Sequence, residues 1–284
     1  MSGAEEKSDG PLEKETRGVD LFAVRSILFL PASNPRAIDK ARGAGADLVV
    51  LDLEDAVKPQ DKLAARAAAV DAFVEPWTMP VAIRVNGIAS EWFDDDVAAV
   101  ADSLADLVVL PRADSVDSIR ATWQVAQRGV LAMIETAAGV LAAPEIAREC
   151  AALIAGTNDL TADLRLPPDA GRASLQMALQ STVLAARAAG IAVFDGVFNG
   201  LDDPDGFLAE AGEGRLLGFD GKSLIHPNQI ALCHRAFAPS ETEFDRARRL
   251  VDAYQGGAER FDDAMIERMH VEAAKRLLER AAGR

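Results

Sequence analysis

The chain has 284 residues, 49% hydrophobic and 26% charged, enough to bury one sizeable core. Its net charge of −15 repels polyanions, which excludes non-specific nucleic-acid binding but not an anionic small molecule held at a local basic site. Two cysteines, Cys150 and Cys233, form no disulfide or zinc pattern, and no run reaches the roughly 18 apolar residues of a membrane span, so a reducing cytoplasm without membrane attachment is expected.

Residues 1–19 are polar and acidic and are expected to be a disordered tail. Eight short apolar runs then follow, each ending in polar or charged residues: Arg25–Pro31, Asp47–Asp55, Val81–Gly87, Asp106–Asp114, Val130–Gly139, Ala152–Leu160, Ala192–Phe198 and Gly221–Pro227. Runs of Val, Ile and Leu without alternation suit strands buried on both faces, which means a parallel sheet covered by helices. Helical segments lie between them. Asn34-Pro35-Arg36 opens the first, another begins near Pro59, and Glu91–Ala105, Ser115–Gln127 and Ser174–Ala188 read as amphipathic. The pattern predicts an α/β protein, a (β/α)8 TIM barrel over residues 20–238, with its chemistry at the C-terminal ends of the strands. A longer connection, Arg165–Ser174, follows the sixth strand.

Residues 239–284 read as a helical extension or lid. Ser240-Glu241-Thr242-Glu243 matches a capping box that starts a helix through Ala253. After a break at Gly256-Gly257, Asp262–Ala282 is expected to form a last helix, with Met265, Met269, Val271, Ala274 and Leu277 at roughly helical spacing.

The strand ends carry Glu54, Asp55, Arg84, Arg112, Glu135, Asp159 and Asp195. Glu135 and Asp159, on successive units and without a nearby His or Cys, form a hard oxygen pair suited to Mg²⁺ or Mn²⁺ completed by water and substrate. Gly139 and Gly156 are expected to let a ligand approach the backbone. Arg84, in an otherwise apolar strand, either pairs with Glu54 or Glu135 or binds a substrate oxyanion. A Schiff-base aldolase needs a lysine at a strand end; Lys58 falls beyond the second strand and Lys222 begins the eighth, which favours metal-assisted enolate chemistry. His226 is a lesser acid/base candidate.

The blocks RSILFLPASNPRAIDKA, DLVVLDLEDAV, IRVNG, MIETAAGV, GTNDLTADL and GFDGKSLIHPNQ occur in order over roughly residues 25–230. Together they resemble the citrate lyase β-subunit-like branch of the HpcH/HpaI aldolase superfamily, which includes malyl-CoA and citramalyl-CoA lyases. The resemblance implies a TIM barrel that assembles as a homotrimer or dimer of trimers. It implies Mg²⁺ on Glu135 and Asp159, substrate on Arg84 and Glu135, a catalytic Glu54–Asp55 pair, and CoA phosphates near Arg36 and Lys40. The implied reaction is cleavage or formation of a 3-hydroxyacyl-CoA of malyl-CoA or citramalyl-CoA type. Alternatives are a citrate lyase β subunit acting on a carrier-bound acyl group, and a CoA-independent 2-keto acid aldolase. The family's lyases carry Met-Ile-Asp near the C-terminus, whose Asp reaches a neighbouring site as acid/base; here the segment ends in Glu267, which keeps the carboxylate on a longer arm.

Overall fold

The computed structural model describes residues 16–167 and 169–282, so residues 1–15 of the expected tail lie outside the described chain. Eight parallel strands close into a barrel in sequence order: β1 (Ser26–Pro31), β2 (Leu48–Asp52), β3 (Val81–Arg84), β4 (Leu107–Leu110), β5 (Gly129–Ile134), β6 (Ala152–Ala155), β7 (Ala192–Asp195) and β8 (Gly221–Leu224). Every apolar run matches one of these strands, β5 starting one residue ahead of its run, at Gly129. Arg84 and Asp195 are the last residues of β3 and β7, whereas Glu54, Asp55, Arg112, Glu135 and Asp159 lie beyond the ends of their strands.

Around the barrel lie α1 (Pro35–Ala41), α2 (Lys62–Asp71), α3 (Phe93–Asp102), α4 (Val116–Ala126), α5 (Ala137–Glu149), α6 (Thr157–Asp163), α7 (Gln176–Ala189), α8 (Pro204–Leu217) and α9 (Asn228–Phe237). Four of their starts follow local capping chemistry. The side chains of Asn34, Ser115, Thr136 and Asp203 accept first-turn N–H groups of α1, α4, α5 and α8. The expected sixth strand ends four residues earlier than Asp159, which instead lies in the first turn of α6.

Alternation along the strands divides the core in two. Ile27, Leu48, Val50, Leu107, Val109, Leu131, Met133, Ile154 and Phe194 fill the lumen. Their neighbours, among them Leu28, Val49, Ile83, Val108, Leu153 and Val193, pack under the helices. Strand parity therefore decides where each polar strand end points. Asp52, Arg84 and Glu135 share the lumen parity; Asp195 and Lys222 share that of the helix layer.

Asp195 is accordingly absent from the catalytic face expected for it. It is buried beneath α8, within 2.9 Å of Lys222 Nζ and 2.8 Å of Arg172 Nη2, while Glu210 of α8 takes Lys222 at 2.7 Å. Arg172, in a short 3-10 turn (Arg172–Leu175) within the long connection after α6, is the anchor of that connection.

Beyond the barrel, α10 (Glu241–Ala253) starts with the expected capping box at Ser240 and Glu243. Glu243 also ties α10 to α8 through Arg215 at 2.7 Å. The expected helix over 262–282 forms only in its second part, as α11 (Arg268–Ala282). Its first part is a hairpin, β9 (Glu259–Phe261) and β10 (Ala264–Ile266). Asp262 adopts φ 47 in the two-residue turn, a left-handed conformation that Asp tolerates. The hairpin buries Phe261 and Ile266 with Ala247, Leu250, Val271 and Ala274, while Met265 and Met269 stay exposed. Of the five positions expected at helical spacing, Val271, Ala274 and Leu277 do face this core, and the two methionines do not. No helix of the described residues is long and apolar enough to cross a membrane.

Candidate functional site

The mouth of the barrel at the C-terminal strand ends holds a buried cation and several carboxylates. Arg84, the last residue of β3, is 9% exposed. Its Nε and Nη2 donate to Asp52 Oδ1 and Oδ2 at 2.6 and 2.7 Å, and its Nη1 lies 2.7 Å from Glu54 Oε2. The guanidinium also sits 5.5 Å from the centroid of Phe29. Of the pairings open to Arg84 in the sequence, Glu54 forms. The stronger partner is Asp52, which sequence reasoning missed. A signal existed: Asp52 follows Leu48 and Val50 at lumen parity and pairs directly with Arg84 across β2 and β3.

Asp52 has a second task. Its oxygens accept from the N–H groups of Glu54 (2.9 Å) and Ala56 (3.1 Å), fixing the turn that follows β2. The same turn is held from behind by Lys62. This buried ammonium donates to Leu53 O, Glu54 O and Asn86 Oδ1 at 2.6, 2.8 and 2.6 Å, and burial lowers its pKa. Asn86 in turn donates to Leu53 O at 3.0 Å, joining the loops after β2 and β3, and to Asp96 Oδ2 of α3 at 2.6 Å. Asp55, next to Glu54, is exposed.

Glu135 follows β5 and is 2% exposed. Its Oε1 accepts the N–H of Arg112 at 2.6 Å, and Arg112 presents that N–H from a left-handed backbone, φ 47. The Arg112 side chain reaches Asp159 Oδ1 at 4.0 Å. Burial pushes the Glu135 carboxyl up to about 7 against that backbone hydrogen bond, and the Asp159 charge adds to the rise. Burial likewise pushes Glu54 up to about 8 despite Arg84, with Asp55, Glu135 and Asp52 contributing. The five acids, Asp52, Glu54, Asp55, Glu135 and Asp159, therefore sense one another across the mouth.

The two glycines expected to admit a ligand have other roles. A Cβ at Gly156 would collide with the Glu135 side chain, and one at Gly139 would lie 2.6 Å from Ala113 O. Gly156 is thus the floor on which Glu135 rests. Among the described residues no group of three or more His, Cys, Asp or Glu is arranged to hold a metal. Two hard carboxylates, one buried and raised in pKa, fit an octahedral ion that keeps water and substrate oxygens in its shell. Glu135 and Asp159 can supply its protein ligands.

The remaining candidates lie apart. Arg36 and Lys40 are exposed one turn apart on α1, a paired basic face beside the mouth. His226 lies past β8, where its Nδ1 accepts from Asn228 N at 3.2 Å. Glu267 is exposed ahead of α11; its backbone N–H donates to His270 Nδ1 at 3.0 Å, and among the described residues its carboxylate has no hydrogen bond to the mouth.

At the opposite end of the barrel, Ser26, His234 and Asp47 imitate a hydrolase triad. The imitation fails on geometry. Ser26 Oγ (2.8 Å) and Asp47 Oδ2 (3.3 Å) both approach the same ring nitrogen, His234 Nε2, and Ser26 is fully buried while accepting from Asp47 N.

Residues 25–227 match the HpcH/HpaI aldolase/citrate lyase family, and residues 172–283 match the C-C bond lyase of the TIM-barrel fold. The chain belongs to the HpcH/HpaI aldolase/citrate lyase family. It is 39% identical over 276 residues to a (3S)-malyl-CoA thioesterase of Cereibacter sphaeroides, covering 90% of this chain and 94% of that one. It is 34% identical over 280 residues to the citrate lyase subunit beta of Escherichia coli, covering 90% and 93%. Among solved structures of the family, protein CitE from Mycobacterium tuberculosis in complex with magnesium, acetoacetate and coenzyme A superposes with a TM-score of 0.81 at 32% identity, over 92% of this chain and 99% of that one. The family assignment and the barrel agree with what the sequence blocks implied.

Proposed function

We propose that this enzyme is a Mg²⁺-dependent carbon–carbon lyase acting on a 3-hydroxyacyl-CoA of malyl-CoA or citramalyl-CoA type. The observation that carries the reading is Arg84: a buried guanidinium in the lumen, clamped by Asp52 and facing the field of Glu135. Such a fixed cation suits an oxyanion that appears only as the bond breaks. Glu135 and Asp159 would hold the ion, which on binding supplies Lewis-acid polarisation of the hydroxy-acid or keto-acid oxygens. Arg84 stabilises the thioester enolate left on the acyl-CoA fragment. Asp52 and Glu54 hold its donors in place, and Asp55 stands at the solvent side as a proton acceptor. Arg36 and Lys40 offer point charges for the CoA phosphates. Glu267, exposed beside Met265 and Met269, serves as acid/base in the site of a neighbouring copy within a homotrimer or dimer of trimers.

A second reading, hydrolysis of the thioester of the same substrate, is favoured by the 39% identity to a malyl-CoA thioesterase. Here a water at the cation face would attack the thioester, since the buried Ser26 is unavailable. Incubation with malyl- and citramalyl-type thioesters, with Mg²⁺ and with chelator, separates the two. Lyase action releases keto acid and a shorter acyl-CoA, with no free thiol. Release of free CoA and the intact hydroxy acid would overturn the lyase reading in favour of hydrolysis. No turnover of any CoA ester would point to a carrier-bound acyl group or a free 2-keto acid.

A further inference from the structure

Helix α6 has only seven residues, Thr157–Asp163, well short of the roughly 12–15 at which an isolated helix becomes even marginally stable. Its position must come from its contacts, and it carries Asp159. At its start, Asn158 and Asn199 exchange reciprocal amide hydrogen bonds of 3.3 and 2.8 Å, joining α6 to the loop beyond β7. Thr157 is packed closely against Gly196, where no Cβ would fit. At its end, Asp163 Oδ2 accepts the N–H of Ala137 at 2.7 Å.

The last contact links the two carboxylates of the cation site. Ala137 is two residues beyond Glu135, and Asp163 is one helical turn beyond Asp159, on the same face of α6. The Asp163–Ala137 hydrogen bond therefore registers the segment bearing one ligand against the segment bearing the other. Thr136 Oγ1 already accepts Gly139 N at 2.9 Å, so the first turn of α5 has a cap of its own. We infer that Asp163 is a positioning residue that sets the separation of Glu135 and Asp159, with the Asn158–Asn199 pair as the second tether. The inference rests on reading Glu135 and Asp159 as the cation ligands.

The test is calorimetric titration of MgCl₂ into the full chain, without substrate, alongside melting curves. Asp163→Ala should weaken Mg²⁺ binding by about 10–100-fold, the usual effect of losing an outer-shell partner. Asp163→Asn keeps an acceptor for Ala137 N–H and should stay near wild type. Asn199→Ala should weaken binding in the same direction. Ser115→Ala, which removes the cap of α4, should lower the melting temperature and leave Mg²⁺ affinity alone.

An Asp163→Ala protein that melts earlier but binds Mg²⁺ like wild type would reduce Asp163 to a helix cap and overturn the inference. So would equal losses in the Ala and Asn variants, which would make charge the operative quantity. Glu135→Ala keeps the two failures apart: if it binds Mg²⁺ as tightly as wild type, the cation site itself is wrong and the inference goes with it. Loss of binding in Glu135→Ala with none in Asp163→Ala overturns the inference alone.

Discussion

Asp52 and Arg84 are direct cross-strand partners in the barrel lumen, and the carboxylate takes Nε and Nη2 of the guanidinium together, at 2.6 and 2.7 Å. The planar fork of arginine is what makes this possible; a lysine ammonium in its place is a single point charge. Arg84→Lys should therefore fold yet lose roughly 10²–10³ in turnover, as when a preorganised oxyanion donor is removed. Steady-state kcat is the measurement, and near-normal turnover would remove Arg84 from the chemistry. Asp52→Ala should cost about 3–5 kcal/mol of stability, because it leaves a buried cation without its main partner. Chemical denaturation reads that loss.

The contact between Gly156 and Glu135 makes a sharper prediction about the ion. Gly156→Ala drives a methyl group into the Glu135 side chain, with an expected overpacking cost of about 1–3 kcal/mol. Mg²⁺ affinity should fall with it. Gly212→Ala in α8 is the matched control: a Cβ there meets nothing within 4 Å, so a gain of roughly 0.5–1 kcal/mol is expected. Equal Mg²⁺ affinity in both variants would remove Glu135 from the cation site.

The raised carboxyls set the pH behaviour of the metal-free protein. Glu135 at about 7 and Glu54 at about 8 lie above the unfolded value of roughly 4.3. The native state thus binds more protons than the unfolded chain from about pH 4.3 up to about 8, and stability falls as pH rises through that window. Mg²⁺ reverses the sign by favouring the ionised Glu135, so it should bind with proton release below about pH 7. Melting curves in chelator at pH 5 and pH 8, and calorimetry in buffers of different ionisation enthalpy, measure the two effects. A metal-free protein that gains stability toward pH 8 would contradict the assignment.

The opposite end of the barrel has the opposite sign. Burial raises Asp47, but hydrogen bonds from His234 and Arg25 outweigh it and hold the carboxyl well below the usual carboxylate range. Its contribution is present above the unfolded value of about 3.9 and is lost as pH falls below that. Asp47→Ala strands the N–H groups of Arg25 and Ser26 and should cost about 1–3 kcal/mol. The difference from wild type should shrink on acidification below about pH 4; a constant difference would argue against the linkage.

The eight strands were legible because burial on both faces leaves no alternation, only short runs of Val, Ile and Leu. The site was legible in part. Arg84 and Glu135 stand out as charges next to apolar runs, whereas Asp52 sits inside such a run and was eclipsed by the more conspicuous Glu54 and Asp55. Asp195 shows the converse error, since a polar strand end announces burial or catalysis equally well. Only its parity with Val193, under α8, separates the two. The C-terminal hairpin was hidden because Phe261 and Ile266, one on each strand, enter the same small core across a two-residue turn that a helical count skips.

The crowding of Ser26, His234 and Asp47 at the closed end of the barrel bears on how this chain would be sorted by reactivity. The residue types of this cluster are those of a serine-hydrolase triad. With Ser26 buried and its hydroxyl shared with the nitrogen that meets Asp47, an activity-based fluorophosphonate should leave it unlabelled. Whichever bond of the thioester it cleaves, a divalent-ion chelator should silence it where a serine-directed probe does not.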